Sequence, residues 1–322
     1  MRVPPGPVSN GVRVLEVGSE DAGQRIDNYL MRHLKGVPRS LIYRILRRGE
    51  VRVNKGRSKP EYRIQAGDQV RVPPVRVAAP AGRALGEGPG DRLAQRILYE
   101  DERLLVIDKP AGMAVHGGSG LSFGVIEALR AARPEAHFLE LVHRLDRETS
   151  GCLMIAKKRS ELRSLHDLLR QGAVEKRYLA LVRGRWERGD RLIEAPLLKG
   201  QTRGGERIVT VDATGKAADS RFRPVEVFDQ ASLVEVDLGT GRTHQIRVHA
   251  AHVGHPLAGD EKYGDAEFNR RMRELGLKRV FLHAQNLGFA DPLSGREVHV
   301  SAPLPEELRA ILERLGHARR VS

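Results

Sequence analysis

The chain has 322 residues, 40% of them hydrophobic, and carries a formal net charge of +14 at neutral pH. That length supplies enough core to fold without staples, and a single cysteine, Cys152, excludes an internal disulfide framework. No run of about 18 apolar residues is present and the start MRVPPGPVSNGVRV has no hydrophobic signal core, which points to a cytoplasmic protein with neither membrane span nor secretion signal. Most of the positive excess is concentrated early: residues 1–80 hold 16 Lys and Arg against 7 Asp and Glu, a net of +9. Such a field favours a polyanionic partner, and nucleic acid fits better than an acidic membrane surface because no basic, aromatic-rich amphipathic helix accompanies it.

After a flexible start, Ile26, Tyr29, Leu30 and Leu34 fall on one face of a helix expected over Gln24 to Gly36. A second helix is expected from the N-cap Ser40, with Leu41, Ile42, Ile45 and Leu46 as its apolar stripe and Gly49 as its stop. Short strands follow at Val51–Val53, Tyr62–Ile64 and Val70–Val72, alternating apolar with basic residues around turns at Asn54–Gly56 and Gly67–Asp68. Between Arg25 and Arg76 there are 14 basic and 4 acidic residues, a self-repelling balance that a phosphate backbone would relieve. Tyr29, Tyr43 and Tyr62 are the only aromatic residues there, so recognition of shape and backbone is expected rather than base reading.

Residues 74–93, rich in Pro, Gly and Ala without apolar periodicity, read as a flexible linker between a domain at 1–73 and a larger one at 94–322. The larger domain opens with Ile97–Tyr99 and the apolar strand Leu104–Ile107, then the turn Asp108-Lys-Pro-Ala-Gly112 and a glycine-rich mobile loop at 117–120 that lacks the lysine of a phosphate-binding loop. A helix over Phe123 to Arg133 precedes Leu141-Val-His-Arg-Leu-Asp-Arg-Glu-Thr-Ser-Gly151, where Asp146 stands between Arg144 and Arg147. Two guanidinium neighbours favour the charged carboxylate, so Asp146 reads as a nucleophile or base, or else as a surface ion pair. Ser150-Gly151 lacks the leading glycine of a hydrolase elbow. A further helix from Ser160 to Gly172, a strand from Val174 to Gly184 carrying Tyr178, and strands such as Ile208–Val211, Phe222–Val227 and Leu233–Leu238 complete a mixed, largely antiparallel pattern of class α+β. His244, His249, His252 and His255 invite a metal reading, but no carboxylate or cysteine completes a ligand spacing, and none is expected. A helix over Pro305 to Leu315 ends the fold.

Residues 24–73, with Arg-x-Asp-x-x-Leu and then Arg-x-Gly-x-Val-x-Val-Asn, resemble the S4 RNA-binding domain. On that likeness Arg25, Arg39, Arg44, Arg47, Arg48, Lys55 and Lys59 are the expected RNA contacts. The strings Lys109-Pro-x-Gly112, His143-Arg-Leu-Asp146, Lys176-x-Tyr178-x-Ala180 and Gly241-Arg-Thr-His-Gln-Ile-Arg247 resemble, in order, the motifs of the RluA-type pseudouridine synthases, closest to the branch acting on large-subunit ribosomal RNA. The resemblance implies the pseudouridine synthase fold, a cofactor-free isomerisation of uridine, and catalytic roles for Asp146, Tyr178 and Arg242. In that reading Arg242 starts a helix and pairs with Asp146, and Tyr178 stacks on the base and takes its proton. His143, Arg144, Lys109, Thr243 and His244 are implied in substrate binding, with Lys109 and Pro110 pinning the turn beneath the site and Arg144 filling the space the base vacates. A monomer acting on ribosomal RNA or an assembling ribosomal particle is expected. A pure RNA-binding module, for which the first domain alone would suffice, and a nucleoside hydrolase are the rival classes; glycosidases generally need paired carboxylates, and this motif offers one.

Overall fold

The computed structural model describes residues 11–34, 37, 39–75, 89–117, 124–187, 189–203 and 206–321, and the chain divides into two units, residues 1–86 and 87–322.

In the first unit, strand β1 (Arg13–Glu16) precedes helices α1 (Ile26–His33) and α2 (Arg39–Arg47), which are followed by strands β2 (Arg52–Val53), β3 (Gly56–Arg57) and β4 (Gln69–Val72) in a sheet of order β1-β4-β2-β3. Apolar residues at helical spacing set the packing: Ile26, Tyr29 and Leu30 of α1 and Ile42, Ile45 and Leu46 of α2 are buried with Val53, Val70 and Val72 of the sheet. Burying each such aliphatic side chain contributes roughly 1.5–3 kcal/mol, so truncating Ile42, which is fully buried, would open this small core. Gly49, at φ +69°, ends α2 in the left-handed conformation that glycine adopts without cost. Two expectations change here. The start is not uniformly flexible, because Arg13–Glu16 pairs antiparallel with Gln69–Val72; Val12 and Val14 stay exposed, so burial periodicity gives no sign of this edge strand. Tyr62–Ile64 is not a strand but contributes one isolated bridge, Arg25 to Arg63. Gly36 and the side chains of Arg39 and Ser40 lie outside the described residues.

The second unit begins with helix α3 (Pro89–Ala94), which occupies the end of the stretch read as linker. Its low periodicity hid a close contact: a Cβ on Gly90 would collide with the Ala128 carbonyl and the Ala132 methyl. The remainder of that linker, residues 76–88, and residues 118–120 of the glycine-rich loop lie outside the described residues. Strands β5 (Ile97–Glu100) and β6 (Leu104–Lys109), helix α4 (Val125–Ala132), strands β7 (Glu140–Leu141) and β8 (Ser150–Ala156), helix α5 (Arg159–Gln171) and strand β9 (Glu175–Arg183) follow. Strands β10 (Arg191–Glu194), β11 (Leu197–Arg203), β12 (Glu206–Val211), β13 (Asp219–Val227) and β14 (Ala231–Leu238) lead to helices α6 (Gln245–His252) and α7 (Ala266–Glu274), strands β15 (Leu282–Ala290) and β16 (Glu297–Ser301), and helix α8 (Glu306–Val321).

The main sheet runs β10-β13-β14-β9-β15-β8-β6-β5, with β16 beside β15 and β7 beside β8, and β11-β12 form a separate hairpin. Every pairing in the main sheet is antiparallel except β8 with β15, which are parallel through Ser150–His283 and Gly151–Ala284. The sheet is therefore mixed and largely antiparallel, with helices against it, an α+β arrangement. Strands β6 and β8 are buried at every position because both faces are covered. Leu105, Ile107, Leu153 and Ile155 face one core with α4, whereas Leu104, Val106, Cys152 and Met154 face another with α5 and β16. Cys152 is one of these core residues, and burial pushes its thiol up to about 12, which leaves it inert. Gly151 is required where the parallel pair closes: its φ is +107°, and a Cβ would strike the Ala284 carbonyl.

Candidate active site

Asp146 sits in the irregular segment between β7 and β8, where its carbonyl accepts the Thr149 N–H at 3.1 Å and closes a turn. The flanking arginines do not hold its carboxylate. Arg147 donates through Nε to the Gly112 carbonyl at 2.9 Å, and Arg144 is exposed on the wall of the cleft. The partner comes from α6 instead: Arg247 Nη1 stands 3.3 Å from Asp146 Oδ2. Arg242, expected in that role, lies three residues before α6, is exposed, and gives its Nε to the Ala217 carbonyl at 3.0 Å. The buried Gln245 decides this, since its Oε1 accepts the Arg242 backbone N–H at 2.9 Å and its Nε2 ties the loop to Asp219 and Ser220 of β13.

Arg247 is itself gripped. Its Nε and Nη2 form a two-pronged pair with the fully buried Asp260 carboxylate at 2.7 and 2.8 Å, and its guanidinium lies 5.1 Å from the Tyr263 ring centre. Burial alone would push Asp260 up, but the bonds from Arg247 and from the Lys262 and Tyr263 backbone outweigh it and hold the carboxyl below its ordinary value. One oxygen fork thus fixes the guanidinium, leaving Nη1 for Asp146.

His244 completes the wall in the left-handed conformation, φ +56°, a strained placement for a residue with a Cβ. Its Nδ1 is 2.8 Å from the Tyr263 hydroxyl, which also accepts the Val209 N–H at 3.0 Å. The other ring nitrogen, Nε2, stands 3.9 Å from Asp146 Oδ2. Burial lowers the imidazole's pKa and keeps it neutral.

Tyr178 lies on β9 opposite Val236 and Ala284. Its ring is 8% exposed, and burial first, then the negative charge of Asp146, pushes the phenol well above its ordinary value. The resting group is a neutral phenol. Tyr178, Asp146, Arg144, Arg242, Thr243 and His244 line one recess of about 70 Å³ floored by apolar side chains such as Leu145, Ile246 and Leu282. The recess shares Asp146 and Arg247 with a cleft of about 1370 Å³, larger than the roughly 300–1,000 Å³ of small-molecule sites. Around the cleft Arg144, Arg147, Lys262, Arg273, Lys278 and Arg279 outnumber the acids.

Two expected substrate contacts are elsewhere. Lys109 is wholly buried, and its ammonium donates to the carbonyls of Pro110, Met113 and Arg147 at 2.8, 2.8 and 3.0 Å. Burial pushes it down to about 7, and with three acceptors satisfied it ties the 109–113 turn to the Asp146 loop from beneath. His143 accepts the Met154 N–H on Nε2 at 3.1 Å, and burial pushes it down to about 4. It is a neutral structural imidazole. His249 is likewise spent on Ser220 and the Ala195 carbonyl, and His255 bonds the Arg183 carbonyl.

Arg247, Asp260 and Tyr263 are the functional side chains that charge pattern missed. Arg247 stands inside the Gly241 to Arg247 string, but nothing local shows that a residue 101 positions from Asp146 reaches its carboxylate. In the first unit Arg44, Arg47, Arg48, Lys55 and Lys59 are exposed, whereas Arg25 is engaged by the buried Asp27 at 2.6 Å.

Residues 103–252 match the RNA pseudouridylate synthase family and residues 24–70 match the S4 domain. The chain is 57% identical over 309 residues to ribosomal large subunit pseudouridine synthase C of Pasteurella multocida (strain Pm70), covering 95% of this chain and 94% of that one. It is 55% identical over 312 residues to the protein of the same name from Escherichia coli (strain K12), covering 96% and 98%. Among solved structures, human RNA pseudouridylate synthase domain containing 4 superposes with a TM-score of 0.59 at 26% identity, covering 70% of this chain and 95% of that one. The chain belongs to the RNA pseudouridylate synthase family.

Proposed function

We propose that the protein isomerises selected uridines of large-subunit ribosomal RNA to pseudouridine, acting as a cytoplasmic monomer, with Asp146 as the reacting carboxylate. The observation that carries this reading is the recess itself, which Asp146, held by Arg247, lines together with the aromatic ring of Tyr178, and which shares Asp146 and Arg247 with a basic cleft. The relatives' names supply the substrate class. Among the described residues no helix is long and apolar enough to cross a membrane.

The reaction breaks the bond between ribose C1′ and uracil N1 and makes one between C1′ and C5; a proton leaves C5 and one is gained at N1. It is redox-neutral, so acid–base and nucleophilic groups suffice. A uridine flipped out of folded RNA would place its ribose over Asp146, whose carboxylate either attacks C1′ or removes the C2′ proton. Arg247 keeps that carboxylate aimed, and Tyr178 offers its face to the base. As a neutral phenol, Tyr178 takes the C5 proton only while passing its own onward, and Asp146 is the charged group that already acts on it. In this reading Arg144, exposed on the wall of the recess, enters the gap left by the flipped base, and Thr243, His244 and Arg242, which line the same recess, contact the uridine. The basic face of the S4 unit, Arg44, Arg47, Arg48, Lys55 and Lys59, supplies phosphate contacts, with Arg39 beside them in sequence.

The test is to incubate the purified protein with large-subunit ribosomal RNA transcript and map pseudouridine at nucleotide resolution. Modification at a few defined positions is the expected result. No modification of that transcript, with modification of transfer RNA supplied in parallel, would overturn the substrate assignment.

A further inference from the structure

Asp146 can be aimed only if the backbone that carries it is fixed, and two buried cations end on that backbone. One is Lys109, which covers the Arg147 carbonyl. The other is Arg279, in the loop before β15, whose side chain is 8% exposed. Its Nη1 donates to the Glu148 and Val280 carbonyls, both at 3.2 Å, and its Nη2 donates to Ser150 Oγ at 3.0 Å and to the Glu307 carboxylate at 2.9 Å. Ser150 is oriented to receive that bond. The Ala302 carbonyl, 3.1 Å from His283 Nε2, can only accept, so Nε2 carries the proton and Nδ1 accepts the Ser150 hydroxyl at 2.9 Å. Successive anchor points after Asp146, at 147, 148 and 150, thus finish on Lys109 or Arg279.

We propose that Arg279 is a positioning residue for the reaction, fixing the Asp146–Ser150 turn so that the Asp146 carboxylate meets Arg247, with Glu307 of α8 setting the Arg279 rotamer. A planar guanidinium has five donors in a rigid fork and serves a carbonyl, a hydroxyl and a carboxylate at once, which an ammonium on a flexible stem does less well. Arg279 also reaches the wall of the substrate cleft, so the test separates bracing from RNA contact. The inference rests on Asp146 being the reacting carboxylate.

The experiment compares full-length wild type with Arg279→Gln, Arg279→Lys, Glu307→Gln and Asp146→Asn. For each, single-turnover rate at saturating RNA, RNA Kd and Tm are measured. A misplacement of about 1 Å at a reacting group can cost ~100-fold. The Arg279→Gln rate should therefore fall roughly 30- to 100-fold with Kd within about threefold of wild type, Arg279→Lys should recover part of the loss, and adding Ser150→Ala should cost little more. Should Arg279→Gln not fold, Glu307→Gln decides. The Glu307 side chain is 59% exposed, and a rate loss of roughly three- to tenfold at unchanged Kd and Tm is expected. An unchanged rate, a loss confined to Kd, or a loss accounted for by the unfolded fraction overturns the assignment to Arg279. Activity retained by Asp146→Asn would instead remove the parent reading.

Discussion

The carboxylate of Asp146 and the guanidinium of Arg247 meet at 3.3 Å across 101 residues of sequence, joining the turn before β8 to the first turns of α6. Because Arg247 also forks onto the fully buried Asp260, the pair is one arm of a fixed triad rather than a mobile surface contact.

It follows that Arg247 and Arg242, five residues apart, differ sharply. Arg247→Gln would leave Asp260 buried without its cation, and breaking such a pair costs about 3–5 kcal/mol. A drop in Tm and a loss of pseudouridine formation by more than a hundredfold are expected, and Asp260→Asn should reproduce much of it. Arg242→Gln removes an exposed side chain bonded to one carbonyl, so its Tm should stay near wild type. Chemical denaturation alongside single-turnover assays checks both. Equal stability losses for the two variants would contradict the geometry.

Tyr178→Phe keeps the ring on β9 and deletes the hydroxyl. Stacking on a base is worth ~1–3 kcal/mol, so RNA affinity should survive in the Phe variant and weaken in Tyr178→Ala. Tritium release from RNA labelled at uridine C5 should collapse in the Phe variant. Near-normal release would show that another group takes the proton and leave Tyr178 as a stacking surface.

The buried histidines set a direction for acid sensitivity. The folded pKa of His143, about 4, lies below its ordinary 6.5, and His244, His249 and His283 are lowered as well. The unfolded chain therefore binds more protons than the native one between roughly pH 6.5 and 4, and stability falls as pH drops through that window. For His143 alone the loss is roughly 3 kcal/mol at most. Urea midpoints at pH 7 and pH 4.5 should differ strongly in wild type and less in His143→Gln. A midpoint that rises on acidification would contradict this account.

The S4 unit should carry most of the salt dependence, since residues 1–80 hold +9 of the charge. Deleting them should flatten the slope of log affinity against log salt, each lost phosphate contact removing roughly 0.7–0.9. Among single changes, Arg44→Ala and Arg48→Ala should each lower the slope. Arg25→Ala should act more on stability, because Arg25 is tied to Asp27. An unchanged slope on deletion would move the main RNA surface to the second unit.

The two-helix core of the S4 unit, the strands β6 and β8 and the neighbourhood of Asp146 were legible because apolar periodicity and motif strings are local signals. What local reading could not supply was pairing. Neither arginine beside Asp146 in sequence pairs with its carboxylate, and the one that holds it arrives on α6. The motif implies for Lys109 both a place beneath the turn and a substrate contact, and the three carbonyls around its ammonium fit the first and leave it no donor for the second. Strand β1 was hidden because its exposed valines carry no burial pattern, and α3 because Gly90 is small for a neighbour's sake rather than for flexibility. Arg279 belongs to no motif that was read, since its value depends on where Glu148, Ser150 and Glu307 come to lie.

The most direct measurement of the central claim is the single-turnover rate of Asp146→Asn on the RNA that wild type modifies, read together with RNA affinity. Asparagine keeps the size of the side chain and removes the charge that would attack C1′ or take the C2′ proton. The account predicts that pseudouridine formation is abolished while RNA binding stays within about threefold of wild type, since Asp146 is one group in a cleft of some 1370 Å³. Turnover within tenfold of wild type would contradict it.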